Sequence, residues 1–99
     1  MTPEKILIVD DNPANIRLLS EALEQEGHEI LTASDGESGL RIASLAKPAL
    51  ILLDVMMPLL DGLATCRKLK SIEATRETPV IFITARQDTE SVLSGFRSG

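Results

Sequence analysis

The chain has 99 residues, 43% hydrophobic and 25% charged, a composition that fits one globular domain rather than a disordered chain. A formal net charge of -5, with ten scattered Lys and Arg, argues against a nucleic-acid backbone as this domain's ligand. A single Cys66 and a single His28 exclude an internal disulfide and a histidine-cluster metal site.

No apolar stretch approaches a membrane span, and the N-terminus lacks the apolar region of a signal peptide, so the reading is cytoplasmic, with no membrane partner. With Phe82 and Phe96 as the only aromatics, the core must be built from Leu, Ile and Val.

The first element is the run Ile6–Val9, continuous rather than alternating in its apolar residues. Strands buried on both faces look like this. Asn12-Pro13 then starts a helix, since Asn caps and Pro suits the first helical position. Ile16, Leu19 and Leu23 share its inner face, and Gly27 stops it. A weaker strand, Glu29–Ala33, follows. His28 is placed in the turn or at the strand edge.

A second helix is expected over Gly36–Ala46, with Leu40 and Ala43 inward, closing before Lys47-Pro48. The run from Ala49 to Leu53 is the next buried strand. A third helix opens near Asp61-Gly62 and carries Leu63, Cys66, Leu69 and Ile72 on its inner face, with Cys66 as a small buried hydrophobe. Ser71 to Thr78 is polar and is expected to be a loop. Val80–Ile83 is a fourth strand, and a fourth helix after Arg86-Gln87-Asp88 places Val92, Leu93 and Phe96 on one face. This alternation predicts a parallel α/β sheet with right-handed crossovers.

Three acids stand out in that frame. Asp10 and Asp11 follow the first strand, and Asp54 follows the third. In a parallel sheet all strand carboxyl ends lie along one edge, where ligands bind. If the two strands are neighbours, three carboxylates converge there. Any one of them alone could be a turn residue. Together, with no His or Cys beside them, they suit a hard cation such as Mg²⁺, whose habitual co-ligand is phosphate. Asp54 is then the candidate nucleophile, with Asp10 and Asp11 at the metal end. Thr84, at the same edge, reads by itself as a β-branched residue finishing a strand.

The stretches ILIVDDN (6–12), LILLDVMMPLLDG (50–62), PVIFITA (79–85) and GFRSG (95–99) resemble the receiver domain of two-component response regulators. The resemblance covers the whole chain. It implies a flavodoxin-like doubly wound parallel sheet in order 2-1-3-4, to which the family adds a fifth strand and fifth helix. It implies Asp54 as phosphoacceptor and Asp11 and Asp54 as direct Mg²⁺ ligands, with Asp10 acting through water or as a supporting acid. Met56 would lend its backbone carbonyl to the metal. Thr84 would be the switch hydroxyl, and Ala85 would turn its backbone N–H to the phosphate.

The implied partners are a sensor histidine kinase or phosphotransfer protein. The family's fifth strand carries a lysine that contacts the phosphate, and no counterpart falls within these 99 residues. The expectation is therefore a C-terminally incomplete receiver with weakened phosphorylation and a homodimer formed through the strand-four edge or by swapping. Two other functions fit less well. A truncated or degenerate receiver acting only as an interaction module is kept open by the missing lysine. A Mg²⁺-dependent aspartyl phosphatase would place alternating rather than adjacent acids after strand one. The expected role is thus regulatory rather than enzymatic.

Overall fold

In the computed structural model, which describes residues 4–54 and 62–83, strands and helices alternate along the chain. They are β1 (Lys5–Val9), α1 (Pro13–Gln25), β2 (Glu29–Ala33), α2 (Gly36–Ala46), β3 (Leu50–Asp54), α3 (Gly62–Ser71) and β4 (Val80–Ile83). The strands form one sheet in order β2-β1-β3-β4, as the resemblance implies. All three pairings are parallel, with Val9 opposite Ala33 on one side and opposite Leu53 on the other.

Each boundary has a local cause. The Asn12 side chain accepts from the Ala14 and Asn15 amides at 2.9 and 3.4 Å, and Pro13 takes the first helical position. Gly27 has φ +92°, a left-handed value that a side chain would disfavour, and it turns the chain from α1 into β2. Asp35 caps α2 by accepting from the Ser38 amide at 2.8 Å. Lys47 ends α2 in the left-handed region at φ +50°, where glycine is the usual residue.

The core is aliphatic and lies on both sides of the sheet. Leu7, Val9, Ile51 and Leu53 pack with Ala43 and Leu69 on the α2/α3 side. Ile6, Ile8 and Leu52 pack with Leu19 and Leu23 of α1 on the other. Residues in odd and even register thus face opposite helix layers, which explains why the β1 and β3 runs are continuously apolar. Burying each such side chain contributes about 1.5–3 kcal/mol. At Gly39 the backbone of α2 meets the sheet so closely that a Cβ would lie 2.9 Å from Val9 Cγ2.

Several expectations need correction. Asp54 is the last residue of β3 rather than the residue after it. Leu63 is 56% exposed, and the inner face of α3 is carried instead by Thr65 and Leu69. Leu63 lies in the first turn of α3, and the inward stripe begins two residues later. Cys66 is only partly buried. Ile72 lies beyond the helix end. His28 does lie between the turn after α1 and the start of β2, as expected, and it is buried there, its Nδ1 accepting from the Glu4 amide at 3.4 Å.

The polar stretch after α3 is a series of turns anchored by buried Thr75, whose Oγ1 donates to the Leu69 carbonyl at 2.6 Å. The expected fourth helix, with Val92, Leu93 and Phe96, lies outside the described residues. Among those residues, no helix is long and apolar enough to cross a membrane.

Candidate functional site

The order of the strands decides where a site can form. From β1 the chain goes to β2 on one flank, then crosses back to β3 on the other. The carboxyl ends of β1 and β3 therefore border the crevice at which the winding reverses. Because Val9 pairs with Leu53, Asp10 and Asp54 are carried to the same level at the ends of adjacent strands. The Asp10 amide donates to the Ala33 carbonyl at 3.0 Å, which extends the β1–β2 ladder by one residue and fixes the backbone there.

Asp10, Asp11 and Asp54 each offer a carboxylate oxygen, and these oxygens all lie within 4.8 Å of one another. Asp10 is buried, Asp54 half-buried and Asp11 exposed. At that spacing each ionised pair repels by about 3 kcal/mol at an effective dielectric of about 20. Burial pushes the Asp10 carboxyl up to about 6. The Asn12 amide, donating to Oδ1 at 2.9 Å, works against that rise, the negative charge of Asp54 adds to it, and the Asn15 carboxamide lowers it again. The result is a cluster rich in negative charge, whose ligand atoms among the described residues are all carboxylate oxygens. Such a donor set suits Mg²⁺ or Mn²⁺.

The described residues bring together the three expected acids. Met56, Thr84 and Ala85 lie outside the described residues. Asn15, which the sequence reading passed over, joins the cluster through Nδ2, 3.4 Å from Asp10 Oδ2. Its signal was present in the sequence: it stands three residues after the capping Asn12, a position whose side chain reaches back towards the helix start.

The fold and site together define a class, a doubly wound parallel α/β module with an acidic cleft at its strand-order reversal. The chain belongs to the response regulator receiver domain family, whose profile it matches over residues 6–99. It is 47% identical over 95 residues to the response regulator PleD of Caulobacter vibrioides, covering 96% of this chain and 21% of that protein.

It is 40% identical over 96 residues to the alkaline phosphatase synthesis transcriptional regulatory protein PhoP of Bacillus subtilis, covering 97% of this chain and 39% of that protein. The chain thus spans well under half the length of these relatives. Among solved structures, one similar chain is the receiver domain of a sensor histidine kinase from Pseudomonas aeruginosa PAO1, with a magnesium ion coordinated in its active-site cleft. It is 31% identical with a TM-score of 0.80, covering 94% of this chain and 79% of that one.

Proposed function

We propose that this domain accepts a phosphoryl group on Asp54 from a phosphohistidine, borne by a sensor histidine kinase or a phosphotransfer protein, beside a Mg²⁺ ion held by Asp10, Asp11 and Asp54. The observation that carries this reading is the convergence of the three carboxylates, with oxygens within 4.8 Å, from the ends of two adjacent parallel strands. The magnesium ion in the cleft of the Pseudomonas receiver supports it.

The residues present fit the ion. Their donors are all oxygen, and burial and the charge of Asp54 both raise the Asp10 carboxyl, a cost that a bound cation would offset. When bound, the metal supplies positive charge that offsets the developing charge of the transferring group. Asp54 supplies the nucleophile. One of its carboxylate oxygens forms a bond to phosphorus as the phosphorus–nitrogen bond breaks. The electron pair of that bond returns to the imidazole, which leaves as the neutral ring with a proton on its other nitrogen.

Asp10, held by Asn12 and Asn15, and Asp11 stay unmodified at the metal end. From the resemblance, the Met56 carbonyl completes the protein ligands, and the Thr84 hydroxyl and Ala85 N–H meet the phosphoryl oxygens. The acyl phosphate brings close to two negative charges to a half-buried position, enough to bias a protein-binding surface. The domain is in this reading a regulatory, cytoplasmic module that makes no contact with nucleic acid or membrane. A homodimer through the β4 edge is part of the same proposal, and light scattering showing only monomer would remove it.

The test is exposure of the purified chain to a small phosphoryl donor such as phosphoramidate, with Mg²⁺ or with EDTA, followed by intact mass and site mapping. One phosphoryl group on Asp54, lost with EDTA and in Asp54→Asn, is the expected outcome. Modification at another residue, or equal modification without a divalent cation, would overturn the proposal.

A further inference from the structure

The first turn of α1 reaches back onto the acidic cleft. In the common capping arrangement a Glu or Gln three residues after the cap accepts the cap residue's own backbone N–H. Here that N–H is taken by the cleft, because the Asn12 amide donates to Asp10 Oδ1 at 2.9 Å. The position three residues on is Asn15, and its side chain acts with reversed polarity, Nδ2 donating to Asp10 Oδ2 at 3.4 Å. Both oxygens of Asp10 are therefore engaged from the α1 side, one by backbone and one by a side chain.

The second of these contacts matters because the outer torsion of an Asp side chain is broad and close to two-fold. Without Asn15 the carboxylate keeps the Asn12 bond and a side-chain hydrogen bond with Asp54, but the latter needs a proton that is lost when both acids are ionised. Two bonds, to different oxygens, define the plane. A Glu at position 15 would suit the helix cap but would add a fourth carboxylate to three whose oxygens already lie within 4.8 Å. A neutral carboxamide provides the donor without the charge.

We propose that Asn15 is a positioning residue, whose carboxamide orients the Asp10 carboxylate towards Asp11 and Asp54 for Mg²⁺ binding. This rests on the metal reading given above. Partners that orient a metal-binding group without touching the metal typically change affinity 10–100-fold when removed. Asn15 makes one long contact, which places it at the lower end.

The test is a Mg²⁺ titration of the full chain, followed by amide chemical shifts, for wild type, Asn15→Leu, Asn15→Ala and Asn15→Gln. Leu removes the donor at nearly constant volume and Ala removes the whole group. Gln keeps a donor at a position where it is well suited to reach back. The expected result is dissociation constants for Leu and Ala about tenfold above wild type, with Gln recovering most of the loss. Urea midpoints in EDTA should fall slightly for Leu and Ala, by the loss of one hydrogen bond, and a purely structural role would stop there, leaving the Mg²⁺ dissociation constants unchanged.

Leu and Ala variants that bind Mg²⁺ within about twofold of wild type would overturn the role of Asn15 while leaving the metal site standing. A wild-type chain that shows no Mg²⁺ binding would overturn the metal reading itself, and the role of Asn15 with it. The wild-type titration alone distinguishes the two failures.

Discussion

Replacing Asp10 by Asn should stabilise the metal-free protein near neutral pH while weakening the proposed Mg²⁺ site. Asp10 is 1% exposed, and burial followed by the charge of Asp54 lifts its carboxyl from 3.8 to about 6. A carboxyl raised in the folded state binds its proton more tightly there than in the unfolded chain. Its contribution to stability is therefore full below the unfolded value and is lost as pH rises through about 6.

A gap of about two units corresponds to about 3 kcal/mol at neutral pH. Asn is neutral throughout and can still accept from the Asn12 amide, but it sets an NH₂ or a turned carbonyl against the Asn15 carboxamide, forfeiting about 1 kcal/mol. The net gain for Asp10→Asn is about 2 kcal/mol near pH 7.5, shrinking to zero or slightly below near pH 4. Urea unfolding in EDTA at a series of pH values measures this directly. A variant less stable than wild type near neutrality, or a gain of the same size at acid and neutral pH, would refute the electrostatic account of the cleft.

Other predictions follow from the packing. Gly39→Ala should lower stability by about 1–3 kcal/mol in urea, although Ala is the better helix former, because its Cβ would sit 2.9 Å from Val9 Cγ2 in a filled core. Lys47→Gly should raise stability by about 1 kcal/mol in the same assay, since a side chain at φ +50° is disfavoured. Thr75→Val should cost about 1–2 kcal/mol by removing the buried hydroxyl that donates to the Leu69 carbonyl, read as a lower urea midpoint. Mg²⁺ should raise the wild-type melting temperature in a concentration-dependent way and leave that of Asp10→Asn nearly unchanged.

What could be read from the sequence, and what could not, divides along physical lines. β2 and α2 were placed to the residue, because Gly27, Asp35 and Pro48 punctuate the chain where local chemistry alone sets the boundary. The α3 face was misjudged because spacing of apolar residues cannot tell Leu63 at the rim from Thr65 beneath it. Burial of a hydroxyl depends on whether a partner is present, and that is a tertiary fact.

At the site, the pairing of β1 with β3 had to be assumed until the register put Val9 opposite Leu53. Sequence spacing then accounted for all three acids. The difference in their environments was not legible. Asp10 and Asp11 are adjacent in the chain, yet one is buried and the other exposed, because the chain leaves the sheet between them. Asn15 was missed because its role depends on which backbone N–H the cleft had already taken.

The central claim is that Asp10, Asp11 and Asp54 form one divalent-cation site. Mn²⁺, which favours the same oxygen ligands and is paramagnetic, tests it by position. Added in small amounts to isotopically labelled protein, it should broaden the amide signals of Asp10, Asp11, Asn12 and Asp54 together. Signals from Gln25 to His28, at the far end of α1, should stay sharp, and Mg²⁺ should reverse the broadening. Broadening centred on any other acidic residues, or none at the ends of β1 and β3, would contradict the account.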